Sequence, residues 1–258
     1  MGTAIDVRPR PTRTATNEID VVLSDHVDDV DDALMVVHHG FVAAGYTEPR
    51  PSGRRMHPSY LNPGTRFALA RIEDEPVGTV AMVSDGPFGL PCERAFAEEV
   101  DTLRMRGSVH EVGSLVVDAQ WRRHTRRIFL HIMATMVRLV LDFDDDDSVV
   151  MAMAPETARF TGGMFGATPL ADPRPLFGAP AVLLRTSRPQ LLDCFAEAAT
   201  SGRRELRRMV LDPDPEWLDV RLCGDSFPRE WWEPLLEEEG TAARLRNQLA
   251  ILRKAPCG

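Results

Sequence analysis

Four arginines, Arg122, Arg123, Arg126 and Arg127, crowd the turn between a β-branched run and a long apolar run, in the stretch VHEVGSLVVDAQWRRHTRR from Val109 to Arg127. That arrangement suits anion binding. The first amides of a helix lack intrahelical partners, the macrodipole adds partial positive charge there, and guanidinium groups add full charges. The other polar clusters point to less. Asp28, Asp29, Asp31 and Asp32 lack the glycine and closing glutamate of a calcium loop, and read as a solvated helix start. Asp144 to Asp147 read as a solvent-facing turn. His38 and His39 are adjacent and so face different ways on a helix, whereas His124 and His131 are two turns apart, too far to share a metal without other ligands. Cys92, Cys194, Cys223 and Cys257 contain no C-x-x-C pair and read as reduced core or surface thiols. No metal site is expected. A nucleophile elbow, a P-loop and a dinucleotide fingerprint are all absent from the chain.

The elements that must position these residues follow from periodicity. Val109, Val112, Leu115, Val116 and Val117 make a central strand bounded by Asp118, and Ile128, Phe129, Ile132, Met133, Met136, Val137 and Val140 recur at helical spacing, with Thr125 as the expected cap. Upstream, Ile19 to Leu23 reads as a first strand, and Ser24 or Asp25 as the cap of a helix carrying Val27, Val30, Leu34, Val37, Phe41 and Val42. Gly45 to Gly64, with four prolines, predicts a loop. Phe67 to Arg71 and Val77 to Val83 flank a polar turn and predict an antiparallel hairpin. A short helix on Phe96, Val100 and Leu103 leads into the central strand. Beyond the long helix, Ser148 to Ala154 predicts a strand, Glu156 to Met164 a helix, and Ala181 to Arg185 a last strand. The order is that of an α/β protein with a mixed sheet, whose strand-helix-strand unit over 109–154 is a right-handed parallel crossover.

Three segments are expected: a disordered leader over residues 1–17, rich in Arg, Pro and Thr, a main domain over 18–186, and a mainly helical extension over 187–258. In the extension, Leu191, Leu192, Phe195 and Ala198 suggest one helix, Leu206 to Leu211 a continuation, Trp217 to Cys223 a short strand and Thr241 to Lys254 a final helix. Phe227, Trp231, Trp232, Leu235 and Leu236 form an apolar cluster. It either docks the tail on the core or makes a homodimer or membrane-surface contact. The net charge of −9 over 258 residues argues against a general nucleic-acid binder, although a local basic patch survives inside it. Without a membrane-spanning run or a signal-peptide core, the expected location is the cytoplasm.

Ordered matches then point to a family. Gly89-Leu90-Pro91, a helix ending in Leu103-Arg104, His110-Glu111-Val112 opening the central strand and Gly178-Ala179-Pro180-Ala181-Val182-Leu183-Leu184-Arg185 at the close resemble the GNAT acyltransferase superfamily. Within it, the chain is similar to N-acyl amino acid synthases of the FeeM type, relatives of acyl-homoserine-lactone synthases, over roughly Ile19 to Thr186. The resemblance implies a mostly antiparallel sheet whose parallel central strands splay apart, flanked by helices, with the extension added at the C-terminus. It implies an N-acyltransferase without a permanently bound cofactor. An acyl group, long-chain in this family, would pass from an acyl-carrier-protein or acyl-CoA thioester to the amine of an amino acid or similar small molecule by direct attack. A short-chain acetyl-CoA enzyme, or an idle domain that binds acyl thioesters or a protein partner, are the alternatives.

The resemblance also implies roles. Glu111 would be the general base and His110 a proton relay. An amide of Leu115, Val116 or Val117 would polarise the thioester carbonyl. Arg104 would bind the carboxylate of the amine substrate. Arg122, Arg123, Thr125, Arg126 and Arg127 would receive the phosphopantetheine phosphate or the acidic surface of the carrier. Two departures stand out. The family's glycine-rich pyrophosphate turn is replaced by Trp121-Arg122-Arg123-His124-Thr125-Arg126-Arg127, which lacks glycine, and this shifts weight from coenzyme A toward a carrier protein. Thr161 stands where a tyrosine commonly protonates the leaving thiolate.

Overall fold

A computed structural model describes residues 18–24, 26–197, 200–211 and 229–232. The sheet begins with β1 (Asp20–Leu23), antiparallel to β2 (Arg66–Ile72), which is antiparallel to β3 (Glu75–Ser84). The β2–β3 turn is Glu73-Asp74, both at positive φ (52° and 65°), the two-residue geometry whose twist matches that of the strands it joins. Next comes β4 (Val109–Val117), antiparallel to β3 and parallel to β5 (Ser148–Met153). The parallel step needs a crossover, and α3 (Thr125–Leu141) supplies it. Beyond β5 lies β8 (Ala179–Thr186), which pairs antiparallel with β5, with β6 (Thr168–Pro169) and with β7 (Arg174–Leu176). The strand order β1-β2-β3-β4-β5-β8-β6 is the mostly antiparallel sheet with one parallel central pair that the resemblance implies. The short strands β6 and β7 fall in a Pro/Gly-rich stretch that carries no period, and so went unpredicted.

Two cores cover the two faces. On one lie α1 (Val27–Ala43) and α2 (Glu93–Arg104), whose Val30, Leu34, Phe96 and Val100 are fully buried with Leu69, Phe67 and Leu183. On the other lies α3, with Ile128, Ile132 and Met136 buried, beside α4 (Pro155–Phe165), α5 (Arg188–Glu197) and α6 (Ser201–Leu211). Each such side chain stabilises by roughly 1.5–3 kcal/mol when removed from water. From the extension, Leu191, Phe195, Leu206 and Val210 join the second core, and Trp231 of the short α7 (Arg229–Trp232) is buried in the first with the Arg54 guanidinium over its ring. The leader over 1–17, the strand over 217–223, the helix over 241–254 and Phe227, Leu235 and Leu236 lie outside the described residues.

Helix starts differ from expectation. The N-cap of α1 is His26 with no side-chain cap, because the Ser24 hydroxyl donates to the Phe67 carbonyl at 2.9 Å; Asp25 lies outside the described residues. Thr125 is the first residue of α3, and His124 takes the cap position. The stretch over 45–64 is no loose loop. It holds a 3-10 turn, Pro58–Leu61, with Met56, Tyr60 and Leu61 buried. Asn62 locks it down, its amide nitrogen donating to the carbonyls of Ser84 (3.0 Å) and Gly89 (2.8 Å) while its oxygen accepts from the Phe88 amide (2.9 Å).

The aspartates of α1 are not a solvated helix start either. Asp29 is buried and accepts from Arg71 at 3.0 Å, Asp32 pairs with the same guanidinium, and Asp31 pairs with Arg54 at 2.7 Å. These arginines reach α1 from 42 and 23 residues away, so local sequence could not display them. Arg71→Leu leaves Asp29 buried without its cation, and the expected loss in urea melts is about 3–5 kcal/mol. Asp28→Ala, at an exposed side chain, leaves the midpoint in place; an unchanged midpoint for Arg71→Leu would refute the structural role of the pair.

Candidate active site

The parallel pair holds only three registers: Val109 with Ser148, His110 with Val149 and Glu111 with Val150. After Glu111 the strands part. From Val112 onward β4 pairs with β3 alone, and β5 continues along β8, so no described strand covers the β5-facing edge of β4. Within that free length, β4 carries one residue more than β3 between the pairs Ala81–Gly113 and Thr79–Val116. Ser114 sits at this bulge with φ 53°, a left-handed conformation unusual for a residue other than glycine. A Gly-Ser pair inside a β-branched run is the trace such a bulge leaves in sequence.

Glu111 points to the face of α1 and α2. It is 4% exposed, and its Oε2 accepts the Cys92 amide at 2.8 Å just ahead of α2. Burial pushes its carboxyl up to about 7; the hydrogen bonds from the Cys92 amide and thiol pull the other way without cancelling the desolvation, and the Glu93 charge adds to the rise. The Cys92 thiol is pushed up as well, by burial first and then by Glu111. Room lies beside the other oxygen, Oε1: a methyl group on Gly113 would stand 3.7 Å from it and, its chain neighbours aside, within 4 Å of nothing else. A buried carboxylate raised to about 7 can take up and hold a proton near neutral pH.

Tyr60 meets β4 at the residue after Gly113. Its hydroxyl lies 2.6 Å from Ser114 Oγ, and its ring, 3% exposed, packs edge-on against Phe67 with centroids 5.1 Å apart. His57 stands edge-on to Tyr60 at 5.9 Å and is pushed down to about 4, by burial and then by Arg55 and Arg94, so it is neutral at pH 7. Sequence reading missed Tyr60, Cys92 and Ser114. A tyrosine in an aperiodic, proline-rich stretch gives no sign that it crosses 54 residues to meet the central strand.

The other expected residues are scattered. His110 is next to Glu111 in sequence and therefore on the opposite face of the strand. There it stacks on Phe143 at 4.1 Å and lies 3.3 Å from Ser84 Oγ, and burial lowers its pKa; the structure does not bring it to Glu111 for a relay. Arg104 is also elsewhere engaged. Its Nε meets Asp85 (2.6 Å), Nη1 meets Glu93 (3.2 Å) and Asp101 (2.7 Å), and Nη2 meets Asp85 (2.8 Å) and Glu93. Those contacts occupy the five N–H groups a guanidinium has. Arg104 thus braces the wall of a surface cavity of about 420 Å³ lined by Asp85, Gly86, Gly89 and Glu93, and presents no free fork to a substrate carboxylate.

Leu115 is 40% exposed in the parted region, while Val116 packs on α1, where Gly40 leaves it room: any Cβ there would fall 2.3 Å from a Val116 methyl. Val117 is half-buried, and then Asp118 caps a 3-10 turn, Ala119–His124, by accepting the Gln120 amide at 2.8 Å. Arg122, Arg123, Thr125, Arg126 and Arg127 are exposed here. Arg126 pairs with Glu205 of α6 at 2.5 Å; Arg122, Arg123 and Arg127 have no ion-pair partner among the described residues. Thr161, on α4, is half-buried, and Phe160 beside it is 57% exposed. Among the described residues no group of three or more His, Cys, Asp or Glu could hold a metal, and no helix is long and apolar enough to cross a membrane.

The family model described as N-acyl amino acid synthase FeeM matches residues 32–187, more than half of the chain. Among solved structures, FeeM, an N-acyl amino acid synthase from uncultured soil microbes, superposes with a TM-score of 0.57 at 18% identity, covering 70% of this chain and 96% of that one. BjaI, a CoA-dependent acyl-homoserine lactone synthase solved with SAM and isopentyl-CoA, superposes with a TM-score of 0.51 at 20% identity, covering 75% of this chain and all of that one. For the AHL synthase LasI the values are 0.51, 12%, 68% and 94%. At these identities the likeness is one of fold. No curated protein sequence matches the chain.

The raised carboxyl makes a stability prediction independent of activity. A carboxyl that titrates near 7 when folded and near 4.5 when unfolded binds its proton more tightly in the folded state. The stability this confers is present below pH 4.5 and lost as pH rises through 7, about 3 kcal/mol in all. Glu111→Gln escapes that loss, so in thermal melts it should gain on the wild type steadily from pH 4.5 to 8. A stability difference that stays flat with pH would mean that Glu111 is not desolvated.

Proposed function

Because the chain belongs to the FeeM N-acyl amino acid synthase family and is an N-acyltransferase, we propose that it moves a long-chain acyl group from a carrier-protein thioester to the amine of an amino acid or similar small molecule, with Glu111 as general base. The observation that carries this reading is a buried Glu111, its carboxyl raised to about 7, beside the room over Gly113 at the last register before β4 and β5 part.

The steps follow from the geometry. The pantetheine arm lies along the uncovered edge of β4 like an added strand, which brings the thioester past the bulge. The amine enters over Gly113 as the free base, its lone pair attacks the carbonyl carbon and the carbonyl electrons move to oxygen. The nitrogen, now positively charged, gives one proton to the Glu111 carboxylate, whose carboxyl near 7 is partly ionised at neutral pH. Collapse forms the amide and expels the thiolate, which takes up that proton as Glu111 returns to the carboxylate. Backbone N–H groups of β4 near Leu115 to Val117 face the developing oxyanion. No residue need replace the tyrosine missing at Thr161, because a thiolate is a good leaving group. The amine's own carboxylate, if it has one, binds elsewhere than Arg104.

Donor choice is read from the rim. Arg122, Arg123 and Arg127 project from the end of β4 as exposed cations, and side chains there keep a pyrophosphate from the backbone. Such a surface suits the single phosphate and acidic face of a carrier protein.

Purified protein given acyl-carrier-protein and acyl-CoA donors of graded chain length, with a mixed amino acid pool, should yield N-acyl amino acids by mass spectrometry, most from long acyl chains on the carrier. Activity should rise with pH through about 7, and Glu111→Gln should lower turnover by about 10²–10⁴-fold. Preference for acetyl-CoA, or equal turnover by Glu111→Gln, would overturn the donor or the base respectively. Reversing Arg122, Arg123 and Arg127 to glutamate should raise the KM for the carrier donor by an order of magnitude or more and leave kcat in place. An unchanged KM would remove the rim from donor binding.

A further inference from the structure

Ser114 combines three features that the base alone does not explain. It holds a left-handed backbone at φ 53° although it is not glycine, it sits at the bulge of β4 next to the Gly113 opening, and its hydroxyl touches only Tyr60 among the described residues. Backbone strain of this kind persists where the surroundings over-determine it, commonly at functional sites. Tyr60 is buried, and Ser114 Oγ is the sole acceptor its hydroxyl meets among the described residues. Either hydroxyl could donate in this contact, and Tyr60, with no other acceptor among the described residues, is best satisfied as the donor. Ser114 would then accept at Oγ, with its own hydrogen turned away from Tyr60.

We propose that the Ser114 hydroxyl, aimed by Tyr60, donates a hydrogen bond to the thioester carbonyl oxygen as it becomes an oxyanion, making Ser114 a catalytic residue and Tyr60 a positioning residue. The inference rests on the acyl-transfer reading above. No proton is transferred at this contact: the carbonyl electrons move onto oxygen, Ser114 stabilises that charge, and the charge returns when the carbon–sulfur bond breaks. A donor fixed before the reaction stabilises the transition state without reorganising, which is why such contacts weigh heavily. Asn62 and the buried 3-10 turn hold Tyr60 in place over the strand, so the aim of Ser114 is set by the fold rather than by the substrate.

The test exploits the strain. Glycine accepts φ 53° more readily than serine, which offsets part of the cost of leaving the buried Tyr60 hydroxyl without its acceptor, so Ser114→Gly should fold with at most a modest fall in melting temperature, and the double variant with Tyr60→Phe should melt at or above Ser114→Gly. Its kcat should nevertheless fall about 10²-fold or more, as for loss of one oxyanion donor, with little change in either KM. Tyr60→Phe should lower kcat by about tenfold, and the double variant should be no worse than Ser114→Gly alone, since Tyr60 acts only through Ser114. The pH profile, set by Glu111, should be the same in all of them. Full activity of a folded Ser114→Gly, or losses that multiply in the double variant, would overturn the proposal. Wild type inactive on every acyl thioester, in contrast, would remove the acyl-transfer reading itself.

Discussion

The parting of β4 from β5 after three paired registers is the constraint on which the rest of the structure depends. Two adjacent parallel strands would ordinarily stay paired, because unpaired backbone groups inside a protein cost about as much as a lost hydrogen bond. Here the extra residue at Ser114 strengthens the twist of β4 and turns its end away, while β8 holds β5 on its other side. Gly40 lets α1 close on Val116, so the diverging end of β4 is packed on one face even though its edge is open. The uncovered edge is therefore a built feature, kept by packing on both strands, and an extended ligand can satisfy it.

Glu111 belongs to the last register before the parting, and its chemistry follows from that position. It is deep enough in the sheet to be desolvated, yet two residues from a glycine whose missing side chain leaves room beside its Oε1. Two opposed effects set its proton affinity: burial, which favours the neutral acid, and the Cys92 hydrogen bonds, which favour the carboxylate. Burial wins, but only as far as neutrality. The Cys92 amide is in turn placed by the segment leading into α2, which Glu93 and Arg104 brace: Glu93 Oε1 accepts from both the Leu90 amide and Arg104, and Arg104 ties in Asp85 and Asp101. Arg104 thus bears on the site from a distance, by holding the backbone that sets the proton affinity of Glu111.

Periodic elements were legible in the sequence and long-range polar geometry was not. The β-branched run of β4 and the helical spacing of α3 gave both elements and their crossover, and the polar turn before Val77 gave the hairpin. Alternation along a strand also separates His110 from Glu111, a rule that adjacency in sequence tends to obscure. Arg104 was expected at a substrate carboxylate; three carboxylates of the chain itself, 19, 11 and 3 residues away, converge on it only after folding. Asp29 looked solvated because Arg71 lies a strand and a loop away. Tyr60 was invisible for a different reason: a segment without regular structure has no period to read, and its order comes from Asn62 and the strands it touches. The Ser24 cap failed through competition, as its hydroxyl goes to Phe67 of the neighbouring strand instead of to a helix amide.

The basic turn shows how local charge can dominate an acidic chain. Backbone cradling of a pyrophosphate requires amides that a ligand can approach, and glycines usually provide that approach. Here the chain leaves β4 through a 3-10 turn carrying side chains at every position, and α3 begins only at Thr125. Recognition in this place must come from the side chains. Arg126 is drawn toward Glu205 of α6, which leaves Arg122, Arg123 and Arg127 as exposed cations on a molecule of net charge −9. On the proposed reading, an acidic donor would be repelled by the whole and attracted by this rim, so encounter would favour the orientation that sets its phosphate at the mouth of the parted strands. The same charge distribution that weakens a generic anion's affinity for the protein would thereby sharpen where such a donor docks.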